Sequence, residues 1–199
     1  MKKFELTNEF ITNSYGVKLF RIKALIEFGN VKAGDLGGYI EKEENLSHMG
    51  DAWIYGDAQI SGNAQVFGDA QVFGNAWVFG DARVSGNAQV FGDAWVFGDA
   101  QVFGDAQVFG DAWVFGNAWV FGDARVSGDK DYAYAHGFGS CNRTTTFFRL
   151  KDGDVGVRCG CFYGTLAQFR DKVCETHGET KKAQEYLMLA DLMKLRFEK

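Results

Sequence analysis

From Asp51 to Gly128 apolar and polar positions alternate in a six-residue cycle, Gly-Asp/Asn-Ala-x-Val-Phe/Ser, repeated almost without error. Ile54, Ile60, Val66, Val72, Val78, Val84, Val90, Val96, Val102, Val108, Val114, Val120 and Val126 fall in strict register. A short fixed period of this kind predicts a solenoid before any local propensity is weighed. In one unit, Ala94-Trp95-Val96-Phe97-Gly98-Asp99, strand alternation sends Ala94 and Val96 to one side and Trp95 and Phe97 to the other. The small and aliphatic pair is the inward one, because it alone keeps its type from unit to unit. Gly98-Asp99 supplies the corner: glycine reaches left-handed backbone angles, and Asp or Asn bonds its own backbone nearby. Short strands joined by such corners predict a triangular tube with three units, eighteen residues, in each coil.

The spacing of an aliphatic residue and a small residue four places later, as in Val96 and Ala100 or Val102 and Ala106, resembles the hexapeptide-repeat family. That resemblance implies a left-handed parallel β-helix. It also points to bacterial and phage proteins often labelled acyltransferases or polymer-forming proteins. General connection rules by themselves favour right-handed crossovers. Thirteen units make a little over four coils, a stub roughly 20 Å tall at ~4.8 Å per strand. The fold class expected is therefore mainly β: a solenoid with an N-terminal β cap over residues 1–37, the repeat over 38–128, and an α+β domain over 129–199.

Both ends of a β-helix present raw strand edges and need covering. At the N-terminal end, Val17 to Phe28 reads as a strand followed by a turn at Gly29-Asn30, and Gly34, Gly37 and Gly38 mark tight backbone. Ile40 and Leu46 begin an irregular coil, with Glu44 where the repeat has Ala. His48 and Met49 are two residues in excess of the register, read as a bulging corner or, functionally, as an extruded catalytic loop. At the other end, Thr144–Leu150 and Val155–Cys161 read as a hairpin around Asp152-Gly153. Thr165 to Gln168 forms a capping box that opens a helix stopping at Gly178. A second helix is expected from about Thr180 to Phe197, with Ala183, Tyr186, Leu187, Ala190, Met193 and Phe197 as its apolar stripe.

Composition narrows the function classes. The chain has 199 residues, net charge −5, and no basic cluster, which disfavours nucleic-acid binding through phosphates. No apolar run approaches membrane-spanning length, and Met1-Lys2-Lys3 does not lead into a signal-type segment. A cytoplasmic protein with four reduced cysteines and no membrane contact is expected. Absence of proline suits a backbone whose donors are used in ladders.

Candidate chemistry is sparse. Cys159 and Cys161, with Cys141, Cys174 and His177, could hold a metal, and Cys174 and His177 sit one helical turn apart. Alternation of Val155, Val157, Cys159 and Cys161 along one strand favours buried core thiols instead, and no metal or cofactor is expected. The acyltransferases of the family use a histidine at a cleft between neighbouring tubes with a pantetheine-bound acyl donor. Here the strict coils contain no histidine, leaving His136 and His48 as candidate bases at the two junctions.

The outward positions say more. Residues eighteen apart stack, so Trp77, Trp95 and Trp113 form one ladder beside a second of Phe79, Phe97 and Phe115. Six large aromatics on one flat side exceed what soluble monomers usually expose. Either a partner covers them, or they stack for stability or descend by duplication of one unit. Rows of corner Asp, such as Asp93, Asp111 and Asp129, are interrupted by Asn and are explained by corner chemistry. The expected function is a non-catalytic scaffold that binds through the Trp/Phe face, either to itself as a dimer or trimer or to another protein. The alternatives are an acyl-CoA-dependent transferase with an intersubunit site, and a phage-type protein that sequesters a host factor.

Overall fold

The protein's architecture comes from a computed structural model, which describes residues 1–139 and 143–198. The repeat folds into thirteen two-residue strands, β4 (Trp53–Ile54) to β16 (Arg125–Val126), one every six residues. They build a parallel β-solenoid with three sheets. One contains β5 (Gln59–Ile60), β8 (Trp77–Val78), β11 (Trp95–Val96) and β14 (Trp113–Val114). The second stacks β4, β7 (Gln71–Val72), β10 (Gln89–Val90), β13 (Gln107–Val108) and β16. The third stacks β6 (Gln65–Val66), β9 (Arg83–Val84), β12 (Gln101–Val102) and β15 (Trp119–Val120).

Every pairing inside the strict block joins residues eighteen apart, as in Val96↔Val114. Each coil donates to the next: Trp95 N–H bonds Ala112 O at 2.9 Å and Phe97 N–H bonds Val114 O at 2.9 Å. The Ala and Val letters are fully buried along the tube, as the alternation predicts. Each Val so placed contributes roughly 1.5 kcal/mol or more of transfer free energy before chain entropy is counted. Corner Asn side chains relieve the acidic rows: Asn63, Asn75 and Asn87 donate to Asp81, Asp93 and Asp105 of the next coil at 3.1, 3.0 and 2.9 Å.

The N-terminal segment extends one solenoid sheet. Strand β1 (Phe4–Thr12) pairs antiparallel with β2 (Lys18–Ala24), which pairs antiparallel with β3 (Leu36–Ile40). Strand β3 then runs parallel to β5, with Ile40 beside Ile60. The offset is twenty residues instead of eighteen, and Leu46 bridges Val66 with the same offset, which accommodates His48 and Met49 as a compact corner. Gly37 and Gly38 admit this junction. A Cβ at either would lie 2.6 Å from a backbone carbonyl, of Ile54 or of Ala58 respectively. Buried Trp53, flanked by Phe28 and Phe4 at 5.3 and 6.3 Å, covers the lower end of the tube.

The upper end is closed by an antiparallel meander of β17 (Tyr132–Phe138), β18 (Arg143–Arg149), β19 (Val155–Cys159) and β20 (Phe162–Thr165). Alternation gives this sheet two duties. Phe148 and Tyr132 join the solenoid core, while Phe147, Val155 and Val157 pack with the helices. The helices are α1 (Leu166–His177) and α2 (Lys181–Phe197). Thr165 accepts from Gln168 N–H in a complete capping box, and Thr180 caps α2. The last coil is stitched to the meander by Trp119 N–H to Thr146 Oγ1 at 3.1 Å and Lys151 N–H to Asp123 O at 3.1 Å.

Candidate functional site

The strand ladder dictates the geometry of the aromatic face. Trp77, Trp95 and Trp113 are register partners, so their indoles stack at 4.9 and 5.0 Å with planes 6° and 7° apart. The neighbouring column repeats this, Phe79–Phe97 at 5.0 Å and Phe97–Phe115 at 5.2 Å. Between columns the rings meet edge to face, Phe79–Trp95 at 5.9 Å and Phe97–Trp113 at 6.3 Å. Ring spacing therefore matches the strand spacing of ~4.8 Å, and each stacked pair is worth about 0.5–1.5 kcal/mol beyond its burial. Stacking half-buries Trp77, Phe79, Trp95 and Phe97, whereas Trp113 and Phe115 at the upper end are exposed.

Two tyrosines bracket the face, and both escape sequence reasoning. Tyr15, in the β1–β2 turn, packs its ring against Trp77 at 6.3 Å and Phe79 at 6.0 Å. Tyr134 of β17 stands edge-on to Phe115 at 5.8 Å. Neither contact has a signal in the hexad, since both depend on how the caps fold back. The other faces are thinner. One has a single column, Phe73–Phe91–Phe109, at 4.7 and 5.0 Å, beside Gln71, Gln89 and Gln107. The third brings Phe103 and Phe121 together at 4.4 Å, with Trp119 edge-on to Phe103 at 6.0 Å.

The candidate bases are placed apart. His48 lies at the lower corner, beside a cleft of about 690 Å³. Its Nδ1 takes the Lys3 N–H at 3.2 Å, its Nε2 meets Glu43 Oε1 at 2.7 Å, and its ring stacks on Phe4 at 4.4 Å. Both nitrogens are thus engaged in holding the N-terminal cap. The His48 bond, aided by Lys2, holds the Glu43 carboxyl below its ordinary pKa. His136 is exposed on β17, with Nδ1 3.0 Å from Thr144 Oγ1.

The cysteines correct the core-thiol expectation. Cys159 is half-buried, accepting from Thr145 Oγ1 at 3.2 Å, but Cys161 and Cys174 are exposed. The strand ends at Cys159, and Gly160, at φ +59°, turns the chain so that Cys161 leaves the face on which alternation placed it. His177 stacks on Tyr186 at 5.8 Å and shares a small cavity of about 220 Å³ with Cys159 and Cys161. Among the described residues no three His, Cys, Asp or Glu side chains converge as a metal site. Cys141 lies outside the described residues.

Fold and face together define a β-solenoid repeat protein. Its residues 58–72 and 70–86 are similar to a family described as YdcK Beta solenoid repeat, whose model matches them. Comparison with curated proteins gives no match. Among the described residues no helix is long and apolar enough to cross a membrane.

Proposed function

We propose that this solenoid is a non-catalytic scaffold whose Trp/Phe face docks against a flat protein surface, either a second copy of the chain or another protein. One observation carries the reading: two complete aromatic columns lie side by side on a single face, and exposure rises to 44% at Trp113. Stacking accounts for the inner rings but leaves the outer edges of both columns open to solvent. Rigid aromatic area of this kind is what interface centres are built from. The meander and helices form a second module that sets the limits of the docking face through Tyr134.

The test is mass in solution by sedimentation equilibrium, for the wild type and for the double variant Trp95→Ser/Phe97→Ser. Expected is a wild-type mass above that of one chain, or a co-purifying protein in fixed ratio, lost in the variant while its far-ultraviolet spectrum stays the same. A wild type that is monomeric and without a fixed partner, with solubility unchanged in the variant, counts against the proposal.

A further inference from the structure

Where the third solenoid sheet meets the meander, a groove of about 400 Å³ is lined by Asn117, Trp119, Arg143, Thr144, Arg158 and Gly160. Arg158 lies opposite Thr146, on the face that Thr144 shares. Arg143 starts on the other face by alternation and comes to the opening at the end of β18, its Nη1 beside Gly160, where it also borders the Cys159 cavity. Arg158 is held from behind, its guanidinium 5.1 Å from the Trp119 ring and 5.9 Å from that of Phe121. Its Nη1 is 3.5 Å from Phe162 O, and its Nε is buried with no hydrogen-bond partner among the described residues.

Among the described residues neither guanidinium has a counter-ion. Arg21, Arg149 and Arg170 face Glu9, Asp131 and Asp191, but among the described residues Arg143 and Arg158 form no ion pair. The corner residue beside them continues the column of Asn63, Asp81 and Asp99 at eighteen-residue spacing, and it is Asn117. An aspartate there, as in the coil below, would supply an internal carboxylate; the amide leaves the place open. Two forked cations and an amide around one opening in a chain of net charge −5 form a local donor-rich pocket, with the Thr144 hydroxyl at its edge shared with His136 Nδ1.

We infer that this groove binds an oxyanion, the phosphate or carboxylate group of a small organic molecule, with Arg143 and Arg158 as its paired donors. Guanidinium forks match both groups by parallel N–H···O bonds. The volume is that of a small-molecule site and exceeds the needs of a bare ion. Because Arg158 already covers Trp119, recognition rests on the anionic group and not on stacking of a ligand ring.

Isothermal titration with inorganic phosphate and with succinate, at constant ionic strength set by sodium chloride, tests this. Saturable millimolar or tighter binding of one or both is expected, phosphate alone indicating a phosphate ester and succinate alone a carboxylic acid. Arg143→Gln weakens it about tenfold or more. Asn117→Asp does the same by placing a carboxylate against the arginines, without lowering the unfolding temperature. Trp95→Ser leaves it unchanged, which separates this site from the aromatic face. No saturable binding of either anion to the folded wild type overturns the inference, as does full binding by Asn117→Asp.

Discussion

The indole of Trp95 lies parallel to that of Trp77, with centroids 4.9 Å apart, because the two residues are register partners in adjacent coils. Trp95 has a second stacked neighbour in Trp113 at 5.0 Å, whereas among the described residues Trp113 stacks on Trp95 alone. Trp95→Ala is therefore expected to cost more stability than Trp113→Ala, by about 0.5–1.5 kcal/mol, the worth of one stacked pair. Urea unfolding of both variants measures the difference. Equal losses would show that stacking contributes nothing.

Backbone geometry gives a second contrast. Gly98 sits at φ +70°, where a Cβ would lie 3.1 Å from Gly116 N. Gly128 is extended at φ −175°, with open space around it. Gly98→Ala should destabilise by about 1–3 kcal/mol, and Gly128→Ala should stay within about 0.5 kcal/mol of wild type. The midpoint of chemical unfolding reads both.

Lys3 predicts a pH dependence. It is buried, with Nζ donating to Gly50 O at 3.2 Å and Ala52 O at 2.8 Å. Burial lowers its pKa from 10.5 to about 8, against the opposing pull of Asp51 and Asp69. Between about pH 8 and 10.5 the unfolded chain holds more of this proton than the folded one, so the Lys3 contribution to stability rises with pH. Tyr55, Tyr132 and Tyr163 act oppositely: burial raises their pKa values, and stability falls once the unfolded chain ionises them above pH 10.0. The difference in unfolding free energy between wild type and Lys3→Met isolates the lysine. It should climb across that window; a flat difference would rule the assignment out.

Thiol reactivity should follow exposure. Cys161 and Cys174 are open to solvent, while Cys159 lies half-buried against Thr145. Titration with a chromogenic disulfide reagent should lose one fast equivalent in each of Cys161→Ser and Cys174→Ser, and none in Cys159→Ser. A fast equivalent lost in Cys159→Ser would contradict the placement of that strand end.

The solenoid was readable from sequence because each coil repeats the last, so one unit determines inward Val96, outward Trp95 and the partner eighteen residues on. The capping box at Thr165 and the extent of α2 were legible for a similar reason, being local. Strand β1 was not. Its alternation of Phe4, Leu6 and Phe10 is broken by a register shift between Leu6 and Phe10. The core placement of Cys161 failed because a period-two pattern was carried through Gly160, where the strand ends. Of the candidate face, the six ladder residues followed from the period. Tyr15, Tyr134 and the meeting of Arg143 and Arg158 at one groove depend on tertiary packing that no single-strand pattern contains.

The eighteen-residue coil also makes the tube a phase-keeping spacer. Tyr15 from one cap and Tyr134 from the other arrive on the same side of the prism. Deleting one whole coil, such as residues 81–98, shortens the distance between the caps and preserves that alignment. Deleting a single hexad turns one cap against the other by a third of a revolution, carrying Tyr134 and the arginine groove to a different side. Such a chain could gain or lose reach only in whole turns, which makes length an inheritable variable quantised by the geometry of the triangle.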